Sequence, residues 1–255
     1  MEPAVIKSIL FRITFPLFLF FGGLLSPAAC SKGNTNPAIA VVNMPPSNND
    51  TIKPITGSKK YLALGDSYTI GTSVNEAESY PVQTAAILKT QGIDLHADII
   101  AANGWTTGDL LNATSARQDT HDYDVVTLLI GVNNQYQGRT VEEYKQEFTA
   151  LLQRSIALAG NHPSHVIVLS IPDYSVTPYA KGRDVVAIAA GIDVFNAVNK
   201  LVADSYKVQY LNVTEESRKA ATDLTLVASD NLHFSGREYN LWSYKLVPLI
   251  KTALQ

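Results

Sequence analysis

Residues 125–130, Val-Val-Thr-Leu-Leu-Ile, form an apolar run without a polar face. A strand so composed must be covered on both sides, the condition of a central strand in a parallel sheet layered between helices. Shorter runs of the same kind stand at 61–64 (Tyr-Leu-Ala-Leu), 98–102, 166–170 and 209–212. Segments of helical character separate them. Tyr80 and Pro81 open one that ends at Gly92, and Thr106, three residues before Asp109, is placed to cap a second through Leu110 and Leu111. Thr140 and Glu143 have the spacing of a capping box, and the helix behind them puts Tyr144, Phe148, Leu151, Leu152 and Ser155 on one face as far as Gly160. Ile188, Ile192, Phe195, Asn199 and Val202 mark a further helix with one polar interruption, and a last one covers 238–254. This alternation predicts an α/β fold with a parallel sheet of about five strands and helices on both faces.

The beginning of the chain is of another character. Lys7 and Arg12 flank or precede an apolar stretch, 13–25, that is shorter than the roughly 20 residues of a spanning helix. Small residues, Ser26-Pro27-Ala28-Ala29, lead from it to Cys30. This is the pattern of an export signal, and Ala28-Ala29-Cys30 resembles the lipobox of a bacterial lipoprotein, departing from it at Pro27. The expectation is a signal peptide over 1–29 and lipid attachment at Cys30, the chain's only cysteine, anchoring an exported protein to a membrane of the cell envelope. A plain secretory signal and a soluble secreted product is the alternative. One cysteine makes no internal disulfide, so stability must come from the core.

Residues 30–58 are polar, proline-bearing and without periodicity, which reads as a flexible tether; an added edge strand at 38–42 stays open. The remainder, 59–255, has the size of one domain. The balance of 17% charged residues and a net charge of −3 gives no reason to expect a nucleic-acid partner, which would call for a basic face. No metal-ligand cluster stands out among its 5 histidines; His121-Asp122-Tyr123-Asp124 reads as a solvated loop before the next strand. The chain is expected to act as a monomer.

Three turns fall at carboxyl ends of strands, the edge at which open α/β sheets bind ligands. Gly65-Asp66-Ser67 ends the first strand and presents a hydroxyl and a freed backbone N–H. Asn103-Gly104 follows the second strand, and Gly131-Val132-Asn133-Asn134 the third. Each taken alone is an ordinary turn. Together the Ser67 amide, the Gly104 amide and the Asn133 side chain make a three-donor cradle for an oxyanion. A fourth piece, Asp230-Asn231-Leu232-His233, lies near the carboxyl terminus. On a single helical turn Asp230 and His233 share a face, so the carboxylate can hold one ring nitrogen while the other takes the hydroxyl proton of Ser67.

Those four blocks, in that order over 61–233, resemble the SGNH (GDSL) hydrolase family, whose blocks supply Ser, Gly, Asn and His. Gly65-Asp66-Ser67 matches the nucleophile block, Gly104 the second, Asn133 the third and Asp230-x-x-His233 the last. Tyr68 stands where the family's leucine is usual, and Asn134 where an aspartate is common. Gly-Asp-Ser-Tyr-Thr is not the Gly-x-Ser-x-Gly elbow of the α/β-hydrolase fold.

The resemblance implies a flavodoxin-like three-layer α/β/α sandwich and a serine ester hydrolase that needs no cofactor and no metal. Catalysis is expected from Ser67, His233 and Asp230, with Ser67, Gly104 and Asn133 as the oxyanion hole. Family members act on lysophospholipids, thioesters, simple esters and acetylated polysaccharides, and fold does not choose among these. An envelope location and the aromatic residues Tyr68, Trp105, Tyr136, Tyr174 and Tyr179 after the strand ends favour short acyl groups on carbohydrate. A lipase or lysophospholipase, and an acyltransferase working through the same intermediate, are the alternatives.

Overall fold

The computed structural model describes residues 54–115 and 123–255. The expected signal peptide, Cys30 and most of the tether lie outside the described residues, as do His121 and Asp122. Five parallel strands, β1 (Lys59–Gly65), β2 (Leu95–Ala101), β3 (Val125–Leu129), β4 (Val166–Leu169) and β5 (Gln209–Leu211), form one sheet in the order β2-β1-β3-β4-β5. Every residue of β3 and of β4 is buried, as strands covered on both faces must be. Edge strand β2 begins at Leu95, earlier than its apolar run, because Leu95 to Ala97 pair with Lys59 to Tyr61 of β1 through the backbone whatever their side chains.

Helices cover the sheet on both sides. Helix α2 (Tyr80–Thr90) packs on the closing helix α8 (Gly236–Ala253), while α3 (Thr107–Ser115), α5 (Val141–Leu158) and α6 (Val185–Ser205) pack in sequence on one another. The chain is therefore the three-layer α/β/α sandwich expected. Three short helices stand at strand ends: α1 (Ser67–Ile70), α4 (Val132–Tyr136) and α7 (Thr214–Ser217).

The polar interruption in α6 has a partner. Asn199 is fully buried and accepts the hydroxyl proton of Tyr144 from α5, which also reaches the Ile130 carbonyl at 3.0 Å. A buried phenol and a buried amide satisfy each other there, which spares the cost either would incur alone. The α5 cap is half of the box expected. The Thr140 hydroxyl accepts from the Glu143 amide at 3.2 Å, but the Glu143 carboxylate turns to Arg139 at 2.7 Å. Thr106 and Asp109 cap α3 reciprocally: the Asp109 carboxylate accepts the Thr106 amide at 2.9 Å, and the Thr106 hydroxyl accepts the Asp109 amide at 3.3 Å.

Order β2-β1-β3 places a topological switch point at the carboxyl ends of β1 and β3, where adjacent loops leave toward opposite faces. The candidate site lies there.

Candidate active site

Ser67 is the first residue of α1, so its amide has no intrahelical acceptor. Asp66 caps the helix by accepting the Tyr68 amide at 3.0 Å, and is itself fully buried. Burial pushes its carboxyl up to about 7 against the hydrogen bond from Tyr68, and among the described residues its Oδ2 has no hydrogen-bond partner. Ser67 stays 7% exposed, at the floor of a cavity of about 260 Å³. The same cavity is lined by Asn103, Gly104, Asn133 and His233, which brings the four blocks to one place from four loops.

Gly104 has φ +77°, and a Cβ there would meet nothing within 4 Å. Its glycine is required by backbone conformation alone, since the left-handed region costs other residues roughly 1 kcal/mol or more. Among the described residues neither the Ser67 amide nor the Gly104 amide has a hydrogen-bond acceptor. Asn133 lies on α4 and donates one amide hydrogen to the Trp105 carbonyl at 2.9 Å, leaving the other hydrogen free. Asn134, the neighbour that departs from the family pattern, is fully buried. Its Oδ1 accepts the Thr107 amide at 3.0 Å and its Nδ2 donates to the Thr107 hydroxyl at 2.6 Å, which ties the loop after β3 to the start of α3.

Asp230 and His233 meet, though not on a helical turn. Asn231 between them takes φ +64°, which ends any right-handed helix there. The Asp230 Oδ1 instead accepts the Leu232 and His233 amides, each at 2.9 Å, and Oδ2 takes His233 Nδ1 at 2.5 Å. A bridge between Val227 and Phe234, with the Ala228 amide donating to the His233 carbonyl at 2.8 Å, clamps the loop from both sides. The Tyr68 ring stands edge-on to the imidazole at 5.5 Å. An ionised Asp230 makes Nδ1 the donor and leaves Nε2 as the acceptor. No hydrogen bond joins Ser67 Oγ to His233 among the described residues.

Ser73 is a part of the site that sequence reasoning missed. Its hydroxyl donates to Asp230 Oδ2 at 2.6 Å from a backbone with φ +67°. Burial raises the Asp230 carboxyl, but the bonds from Ser73, from His233 and from the two amides outweigh it and hold the group far below the usual carboxylate range. No local pattern announces Ser73, because the contact spans 157 positions. Of the aromatic residues singled out, Tyr68, Tyr136, Tyr174 and Tyr179 line the cavity; Trp105 packs on the core and contributes its carbonyl to Asn133. No three His, Cys, Asp or Glu side chains are grouped as a metal site would require among the described residues.

Fold and site together define a class, the α/β/α hydrolases with a serine at the end of the first strand. The chain belongs to the GDSL-like lipase/acylhydrolase family, whose model matches residues 63–241. It is an ester hydrolase of that family. Solved structures share its fold. A lipase from a goat rumen metagenome superposes with a TM-score of 0.65 at 16% identity, over 78% of this chain and 100% of its own. The psychrotrophic esterase EstA from Pseudoalteromonas sp., in a form inhibited by monoethylphosphonate, gives 0.60 at 17% identity, over 76% and 97%. A lipase/acylhydrolase from Enterococcus faecalis gives 0.60 at 21% identity, over 76% and 95%. No curated protein matches the chain significantly.

Proposed function

We propose that the protein hydrolyses carboxylic esters through an acyl-enzyme on Ser67, and that its substrates carry short acyl groups on carbohydrate. The observation that carries this reading is the convergence of Ser67, Gly104, Asn133 and His233 on one cavity, with His233 held by Asp230 at 2.5 Å. His233 Nε2 takes the hydroxyl proton as Ser67 Oγ attacks the ester carbonyl. The oxygen that becomes negative is received by the Ser67 and Gly104 amides and the free Asn133 hydrogen. The imidazolium then protonates the leaving alcohol, and water repeats the cycle on the acyl-enzyme. Asp230, held ionised, fixes the imidazole tautomer and its orientation.

A small cavity lined by the rings of several tyrosines suits a short acyl group and a sugar-like alcohol better than a long hydrocarbon chain. The leader and Cys30 add a lipid anchor to the reading, which places the enzyme outside the cytoplasm where such polymers are met.

Ser67→Ala is expected to abolish hydrolysis of nitrophenyl acetate while leaving the thermal midpoint nearly unchanged, since the hydroxyl makes no hydrogen bond among the described residues. A phosphonate ester should label Ser67, read by peptide mass. Label on another serine, or an active Ser67→Ala, would overturn the assignment. Activity falling steadily from acetate to palmitate esters supports short acyl groups, and the reverse order favours a lipase. For the anchor, Cys30→Ser should move the expressed protein from the detergent phase to the aqueous phase.

A further inference from the structure

The cavity that holds Ser67 is also lined by Tyr136, Tyr174 and Tyr179, contributed by the segments after β3 and β4. They form one group. The hydroxyls of Tyr136 and Tyr179 lie 2.8 Å apart, the Tyr174 hydroxyl donates to Gln135 Oε1 at 3.1 Å, and the rings of Tyr136 and Tyr174 meet edge to face at 6.2 Å. Arg183 lies across this group, its guanidinium carbon 4.4 Å from the Tyr179 ring centre and 5.6 Å from that of Tyr136.

Arg183 is held but not neutralised. Arg139, Arg218 and Arg237 each face a carboxylate, whereas among the described residues Arg183 has none within ion-pair distance. Its guanidinium lies over the two rings and keeps N–H donors for a ligand. One phenol of the Tyr136–Tyr179 pair donates to the other, so one phenolic hydrogen is also free. Tyr136 is 49% exposed, so this aromatic residue is open to a ligand beside the cavity. Hydrogen bonding from Tyr179 and then from Arg183, with the charge of Arg183 added, holds the Tyr136 phenol below its ordinary value, so the local field favours negative charge. Covering these polar groups with a hydrocarbon chain would strip them of water without replacement. A sugar ring offers a C–H face for the tyrosines and oxygens for their hydroxyls, and a carboxylate matches the guanidinium fork.

We infer that Tyr136, Tyr174, Tyr179 and Arg183 form a subsite for the alcohol part of the ester, and that this alcohol is an anionic carbohydrate bearing a carboxylate. The inference rests on the hydrolase reading for its ester and on the Tyr–Arg group for its sugar.

The test reads binding and turnover separately. In calorimetric titrations the wild type should bind trigalacturonate about 10-fold more tightly than the neutral galactotriose, and Arg183→Gln should bring the two to parity. The ratio of kcat/KM for acetylated methyl galacturonate over acetylated methyl galactoside should follow the same pattern. Parity in the wild type, or a preference that survives Arg183→Gln, overturns the subsite. Glycerol 3-phosphate, an anion without a ring, should displace trigalacturonate about 10-fold less well than galacturonate does; equal displacement overturns the carbohydrate assignment. Arg183-dependent binding with no ester hydrolysed keeps the subsite and removes the hydrolase reading. Hydrolysis of both esters at one rate does the reverse.

Discussion

Two adjacent asparagines on α4 have been given different work. Asn133 faces the cavity with one amide hydrogen free, while Asn134 is buried and spends its side chain on Thr107. A donor that acts as charge develops lowers the rate of the chemical step more than it alters substrate binding. Asn133→Ala should therefore cut kcat by roughly 10² to 10³ with little change in KM. Asn134→Ala leaves the Thr107 amide and hydroxyl without that partner inside the protein, a loss of about 1–3 kcal/mol in stability with a smaller effect on kcat. Denaturant unfolding and steady-state kinetics on both variants separate these roles; the opposite pattern would shift the block by one residue. Both positions are visible as a motif in the sequence, but which of the two faces the cavity is set by the start of α4, a matter of backbone direction.

At the scale of elements, the site depends on how loops leave the sheet. Gly131 joins β3 to α4 with φ +129°, and a Cβ there would lie 2.6 Å from the Tyr144 ring and 2.8 Å from Ile171. Tyr144 is held in place by its bonds to Ile130 and Asn199, and Ile171 is fully buried beside it. Gly131→Ala should cost about 3 kcal/mol from the backbone conformation and the overlap together, lowering the thermal midpoint of a domain this size by roughly 6–12 °C. Activity should fall further than that of Gly104→Ala, whose added methyl group enters open space. Calorimetry beside an esterase assay reads both; a fully stable and active Gly131→Ala would show that the loop is not set by this contact. The loop after β4 is braced another way. Asn196 of α6 both accepts the Ile171 amide at 2.7 Å and donates to its carbonyl at 2.9 Å, and the buried Asp173 takes the Arg218 guanidinium at 2.8 Å. These ties orient the segment that carries Tyr174 and Tyr179, and none has a local signature.

Across the whole molecule, burial of carboxyl groups sets a pH response. Asp66 rises from 3.8 to about 7 by desolvation, and Glu238 of α8 from 4.5 to about 7 for the same reason against its bond to Trp242. Between those values these two groups keep protons in the folded protein that the unfolded chain has lost, so their contribution to stability falls as pH rises from about 4 to about 7 and then levels off. Asp230 acts oppositely and elsewhere: its depressed carboxyl gives stability that is present above about 4 and lost below it. Asp66→Asn keeps a capping oxygen for Tyr68 and removes the first of these titrations. Relative to wild type it should gain on the order of a few kcal/mol in urea unfolding at pH 8 and much less at pH 5. An equal effect at both values would mean that Asp66 is already ionised in the folded protein at pH 5. The sequence by itself determined the strand–helix alternation, the layered sheet and the four blocks at its carboxyl edge. Those signals are local, since each needs only an apolar run, a cap or a turn within a few residues. The brace of Ser73 on Asp230, the work of Asn199 in the core, the αL turn that brings Asp230 to His233 and the stacking of Arg183 on the tyrosines were decided by the tertiary structure. Most of these join residues far apart in the chain, and at Asn231 the backbone follows contacts made on either side of it; no local pattern encodes which distant group packing will present.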